Sequence, residues 1–188
     1  MDDRTRIQMP EREQVTLADG RVVSLQPITA AAKPLIVAAM GKLSPLSSRR
    51  RFFTPRIRLS EDELVQLTDN DGVRHYAVGA CRRAVDGTLE GLGIAHYVRD
   101  KDPRTAEIAI TVIDDFQGIG LGKALLARLA AAAFAHGIDR LRAIVMPDND
   151  PVLRLFHKWA PGSRVWREGD HLAADIPLAP PAFVAAAA

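Results

Sequence analysis

Between residues 114 and 123 the chain reads Asp114-Asp115-Phe116-Gln117-Gly118-Ile119-Gly120-Leu121-Gly122-Lys123, with a glycine at every second position from 118 to 122. This stretch sits where the hydrophobic period changes, and it limits the possible folds more than any other segment. Before it, β-prone runs recur at 74–81, 89–98 and 105–113, with turn signals at Asp86-Gly87 and at 100–103; the pattern predicts an antiparallel meander. After it, Leu121, Leu125, Leu129 and Ala132 recur at helical spacing as far as His136-Gly137, so a helix should run to a glycine stop. Residues 141–146 then form a short apolar run that fits a buried strand. A strand reached by crossing over a helix should lie parallel to the strand before it. Glycine in such a turn lets backbone approach a ligand, and the free N–H groups of the following helix favour an anion. Phosphate binding is the natural reading of the turn; tight strand-to-helix packing alone is the alternative.

The rest of the chain supplies a frame for this unit. Residues 15–17 and 22–25 flank Asp19-Gly20 and predict a hairpin. An Ala-rich helix is expected over 29–40, its regular part starting near Pro34. Ser60 and Glu63 have capping-box spacing, so a second helix should run to about Leu67. Between the two helices a basic loop is expected. Asp150-Pro151 reads as the start of another helix, with Val152, Leu155, Phe156 and Trp159 on its apolar face. Residues 164–167 and 171–176 around Gly169-Asp170 predict a closing hairpin. The fold class expected is α+β, a mixed, largely antiparallel sheet flanked by helices in three α/β/α layers, occupying 15–176. Residues 1–14 and the Pro/Ala-biased 177–188 read as mobile tails.

Composition narrows the class of function. The 188 residues carry 47% hydrophobic and 26% charged side chains, which suits a globular domain and not a disordered chain. Lys and Arg number 25 against 23 Asp and Glu, a net +2, so no global field draws nucleic acid or anionic membrane. The only cysteine is Cys81, which excludes an internal disulfide and makes the cytoplasm the expected compartment. No signal peptide or membrane-length apolar stretch is evident. The five histidines show no metal spacing, so no metal is expected. Arg49, Arg50, Arg51, Arg56 and Arg58 form a basic run followed by Glu61, Asp62, Glu63, Asp69 and Asp71. An internally paired surface is one reading of it, and a dock for an acidic partner or a phosphate is the other.

Two phosphate cradles are excluded. A Walker A loop needs a hydroxyl residue after Gly-Lys, and Gly122-Lys123 is followed by Ala124. The Rossmann fingerprint needs G-x-G-x-x-G in a parallel sheet, whereas this spacing is G-x-G-x-G after a meander. Gln117-Gly118-x-Gly120-x-Gly122 resembles the Q/R-x-x-G-x-G/A motif of the GCN5-related N-acetyltransferase (GNAT) family. Asn149, followed by the helix that carries Phe156, is similar to that family's next element. The resemblance implies the GNAT fold and acetyl-CoA as donor. It also implies pantetheine paired to a splayed strand at Val112 and Ile113, and pyrophosphate on backbone N–H groups from Gln117 through Gly118, Ile119, Gly120, Leu121 and Gly122 to Lys123. Asn149 and Phe156 would line the thioester arm. Upstream, residues 43–53 resemble the L-S-P-E-S-x-x-x-R-F-F segment of bacterial Pat-type protein lysine acetyltransferases, with Leu46 replacing the glutamate. That narrower resemblance implies a protein acceptor such as an acyl-CoA synthetase; a small amine, or a CoA-binding module without turnover, stays open.

Acetyl transfer to an amine requires a base, because lysine has an ordinary pKa of about 10.4. Glu107 is the only acid within the strand 105–113. Alternation places it on one face with Ala109 and Thr111. A carboxylate in a covered sheet is costly unless it is paired or in a wet cleft, and partial burial there should raise its pKa. It also matches the general-base glutamate of the Pat-type resemblance; a salt bridge to Arg104 is the structural alternative. A backbone N–H near Val112 would polarise the carbonyl. Many family members carry a tyrosine acid where Phe156 stands, so Tyr97, His96 or water are the other candidates to protonate the leaving thiolate. Cys81, alone in an apolar strand, reads as core.

Overall fold

The computed structural model describes residues 11–54 and 58–178. Eight strands form one mixed sheet: β1 (Glu13–Thr16), β2 (Val22–Pro27), β3 (His75–Arg83), β4 (Leu89–Arg99), β5 (Thr105–Val112), β6 (Arg140–Val145), β7 (Arg164–Glu168) and β8 (His171–Pro177). Their order is β1-β2-β3-β4-β5-β6-β8-β7, and every neighbouring pair is antiparallel except β5 with β6. The helices are α1 (Lys33–Met40), α2 (Pro45–Phe52), α3 (Glu61–Thr68), α4 (Leu121–Ala135) and α5 (Asp150–Trp159). The meander, the crossover and the closing hairpin therefore take the expected form. β1 and β8 take in Glu13, Gln14 and Pro177 from the tails expected at 1–14 and 177–188, and Leu178 is buried; residues 1–10 and 179–188 lie outside the described residues.

A bulge in β4 lets one strand serve both faces. Register shifts between Ala80 and Cys81, so that Ala80 faces Gly93 and Cys81 faces Gly91, leaving Leu92 as the extra residue. A Cβ on Gly91 would meet the Leu35 carbonyl of α1 at 2.9 Å, whereas one on Gly93 would lie 3.1 Å from the Leu125 side chain of α4. Without the bulge both would point the same way. The main core lies on the α4 side, where Leu121, Leu125, Leu126 and Leu129 are fully buried against Tyr97, Ile108 and Leu141. Each such leucine contributes about 1.5–3 kcal/mol by removal from water. A smaller cluster of Ile28, Ile36, Leu64 and Ala77 joins α1 and α3 to the other face. Cys81 is buried, as its apolar strand implies.

Local signals account for most helix ends. Ser60 and Glu63 complete the reciprocal capping box at the start of α3. The basic loop expected between α1 and α3 is instead helical over α2. Ser44 accepts from the Ser47 N–H as N-cap, Pro45 occupies the first turn, and Phe53 closes the helix at φ 63°. α5 begins one residue earlier than expected in its cap, since Asn149 and not Asp150 is the N-cap.

Candidate functional site

β5 and β6 share only three rungs, Thr105 with Arg140, Ala106 with Leu141 and Glu107 with Arg142. Beyond Glu107 they part, β5 continuing to Val112 and β6 to Val145. Backbone groups of a strand alternate between its two neighbours. The Ile113 N–H donates to the Leu92 carbonyl on the β4 side at 2.9 Å, so the N–H groups of Ile110 and Val112 face the gap. The Val112 carbonyl, on that side, accepts from Gln117 Nε2 at 2.9 Å. The gap opens into a cleft of about 560 Å³, walled by Val112, Gln117, Gly118, Gly120, Gly122, Lys123 and Asn149 among others.

The glycine turn forms one end of this cleft. Gly118 and Gly120 have φ of 75° and 99°, values that L side chains rarely adopt. Gly120 caps α4 without a side-chain bond. The N–H groups of the first helical turn have no acceptor within the helix, and an anion at this positive end is favoured. A Cβ added at Gly118 or Gly120 meets nothing within 4 Å, so open space lies over both. Lys123, Arg154 and Lys158 add positive charge to the walls.

A polar clamp built by α2 holds the two lips of the cleft. Asp114 accepts from the Ser44 N–H at 2.9 Å, from Ser44 Oγ at 2.7 Å and from Ser47 Oγ at 2.9 Å. Burial alone would raise the Asp114 pKa, but these donors outweigh it and hold the carboxyl below its ordinary value. Gln117 Nε2 also donates to Ser47 Oγ at 3.1 Å. On the far lip, Arg49 pairs with the Asp148 carboxylate, and Arg50 Nη2 donates to the Asp148 carbonyl at 2.6 Å. Arg49 and Arg50 are thus paired within the molecule, though with Asp148 and not with the acidic run next to them. Arg56 lies outside the described residues.

Glu107 stands at the end of the gap where the strands separate. Its side chain is exposed, so the expected partial burial is absent. Arg104, the alternative partner, pairs with Asp139. Glu107 instead lies within electrostatic range of Arg51. Burial lowers the Arg51 pKa to about 10, while Glu107 and Glu63 act to raise it. Arg51 Nη2 lies 3.1 Å from His96 Nε2. A guanidinium only donates, so His96 accepts there and is neutral, with its proton on a buried Nδ1 that lacks a partner among the described residues. Burial, then the charges of Arg51 and His75, lower the His96 pKa to about 3.

Several expected residues take other places. Ile113 is buried with its N–H bonded to β4, and it does not line the cleft. Phe156 is a core side chain, 2% exposed. Ile119 and Leu121 lie against or within the core and are not among the residues that wall the cleft. Tyr97 is excluded as an acid: it is fully buried, with its hydroxyl 2.8 Å from His136 Nδ1, and burial raises its pKa. Residues missed at the sequence level include Ile110, Thr111, Arg154 and Lys158. The last two share helical spacing with Pro151 and Leu155, which turns one face of α5 to the cleft. That spacing was a legible signal.

An open seam between parallel strands, ending at a glycine-capped helix, is the arrangement that the GNAT resemblance implies. The family model of the Acetyltransferase (GNAT) family matches residues 45–160. The chain belongs to the GNAT family and is an acetyltransferase related to Pat. It is 30% identical over 129 residues to Acetyltransferase PA5475 of Pseudomonas aeruginosa, covering 69% of each chain. It is 43% identical over 56 residues to Acetyltransferase Pat of Mycolicibacterium smegmatis, 29% of this chain and 17% of that one. The GNAT domain of S. lividans PAT superimposes with a TM-score of 0.80 at 28% identity, covering 91% of this chain and all of that domain. A cAMP-binding acyltransferase from Mycobacterium smegmatis gives 0.62 at 23% identity, and the match spans about half of its length, 48%.

Proposed function

We propose that the protein transfers acetyl from acetyl-CoA to a lysine side chain of another protein, by direct transfer in a ternary complex with Glu107 as general base. The observation that carries this reading is the parted seam of β5 and β6, with free backbone donors facing it and a basic, glycine-capped helix start at one end. The pyrophosphate would rest on the first N–H groups of α4, with Lys123, Arg154 and Lys158 at hand for the remaining charge. Pantetheine would run along Val112 toward Asn149. Strand rise of about 3.3 Å per residue puts Ile110 about 10 Å from Glu107 and Val112 about 16 Å away. The nearer donor leaves room for the glutamate side chain, one water and the amine, so the Ile110 N–H is assigned to the thioester oxygen.

In that arrangement the neutral amine attacks the thioester carbon, its proton passes to Glu107 through water, and the C–S bond breaks to release the thiolate. The thiolate needs no protein acid, in keeping with the buried, hydroxyl-free Phe156. The exposure of Glu107 supports a macromolecular acceptor, because a docking protein covers an open carboxylate that a small amine leaves wet. The relation to Pat supports the same acceptor class.

The test is acetyl-CoA with an acyl-CoA synthetase and, separately, a panel of small amines, following thiol release and the acetylated product. Acetyl-lysine on the protein is expected, with Glu107→Gln lowering kcat about 10²- to 10⁴-fold while acetyl-CoA affinity is retained. Equal rates in the variant overturn the base, and turnover of small amines alone overturns the acceptor.

A further inference from the structure

The face of the sheet beneath α1 is unusually bare. Gly79 and Gly91 present no side chain there: a Cβ on Gly79 would fall 2.4 Å from Ile28 Cδ1, and one on Gly91 would strike α1 backbone. Neighbours fill both of those positions, and beside them lies a pocket of about 60 Å³, walled chiefly by Leu35, Ile36, Ala39, Met40 and Ile94. It shares Leu43, Arg51 and Thr111 with the large cleft, so the two are neighbours across one neck. Thr111 follows Ile110, and its side chain is on the α1 face with Glu107 and Ala109. The Arg51 guanidinium is held by His96 at 3.1 Å, which leaves its alkyl stem as wall.

A pocket with so apolar a lining does not hold water well, since a buried water needs two to four polar partners. We infer that it receives the hydrocarbon end of an acyl group longer than acetyl, delivered to the cleft as the CoA thioester. A water-sized group needs about 10–15 Å³ of such space, and a methylene is of similar size, so the pocket takes about four to six carbons, enough for the two that butyryl adds to acetyl and too few for the eight that decanoyl adds. The inference rests on the proposed placement of the thioester at Ile110, from which a chain passing Thr111 enters the neck. The protein is then a short-chain acyltransferase whose donor range includes acetyl.

The test compares acetyl-, butyryl- and decanoyl-CoA at a fixed acceptor, together with their affinities by calorimetry. Butyryl-CoA is expected to reach a kcat/KM within about tenfold of acetyl-CoA and to exceed decanoyl-CoA by at least about tenfold. Ala39→Leu fills the pocket and should lower the butyryl value about tenfold, the worth of two buried methylenes, leaving acetyl transfer unchanged. Met40→Ala enlarges it and should move the optimum to a longer chain, which keeps the idea testable if Ala39→Leu misfolds. Acetyl transfer with rejection of butyryl-CoA, or a parallel loss of both in Ala39→Leu, overturns the pocket alone. A protein that uses neither thioester overturns the pocket and the proposed function together.

Discussion

Along its β4 edge, β5 is paired at seven successive positions, from Ala106 with Arg99 to Val112 with Gly93; along its β6 edge it is paired at three. The closed edge rests on local connection and on apolar burial, since β4 and β5 adjoin in sequence and both pack on α4. The open edge leaves strand donors without strand partners among the described residues, which costs free energy unless water or a ligand meets them. Its lips are held by polar tethers instead: Ser44 and Ser47 on Asp114, Gln117 on Val112, and Arg49 and Arg50 on Asp148. Apolar packing makes one edge stable, and a hydrogen-bonded clamp keeps the other usable.

Damage to the closed side should act on stability and spare the chemistry in the protein that remains folded. Leu125→Ala, beneath Gly93, is expected to cost about 2–5 kcal/mol, read by urea unfolding, with acetyl-CoA affinity per folded molecule unchanged. A selective loss of affinity without destabilisation would erase the distinction between the edges.

Damage to the open side should do the reverse. Gly120→Ala meets no atom within 4 Å, so its penalty is conformational, about 1–2 kcal/mol for a left-handed residue. The added methyl also occupies the space above the helix start, so acetyl-CoA affinity should fall by about tenfold or more. Calorimetry showing wild-type affinity would remove the turn from the proposed phosphate site.

The clamp is expected to give smaller effects. Asp114→Asn removes a charge that accepts three hydrogen bonds, but the group is solvent-exposed, so destabilisation should stay below about 1 kcal/mol. The acetyl-CoA KM should rise severalfold, and an unchanged KM would mean that α2 does not position the turn. Acid sharpens the contrast further. His96 has a folded pKa depressed to about 3, so the unfolded chain binds its proton first and stability declines as pH falls from about 6.5 toward 3. Asp114, held below its ordinary carboxylate value, contributes fully at neutral pH, and that contribution is lost as pH falls through its folded value. Thermal melts across this range should show the upper part of the decline in wild type and not in His96→Gln.

Legibility in the sequence follows the range of the interactions. The capping box of Ser60 and Glu63, the hairpins and the Gly118–Gly120 turn depend on residues a few positions apart, and they were readable. The helix α2 was masked because a run of arginines resembles a solvated loop; Ser44, Pro45 and the spacing to Ser47 were the missed cap signal. Ile113 and Phe156 were misplaced by a resemblance that gives positions along the chain but not the parity of a strand or the inward face of a helix. Arg51 with His96, and Arg49 with Asp148, join residues 45 and 99 positions apart, a separation that no local pattern encodes.

By itself, the sequence determined the class of fold, the glycine-capped start of α4 and the single acid on β5, because period, turn conformation and strand alternation are properties of neighbouring residues. Only the tertiary structure decided that Glu107 is exposed, that Ile110 and Val112 open to the gap, and that an apolar pocket lies beside it. Burial, strand separation and enclosed space arise when distant segments exclude water together, and they have no counterpart in any one stretch of chain.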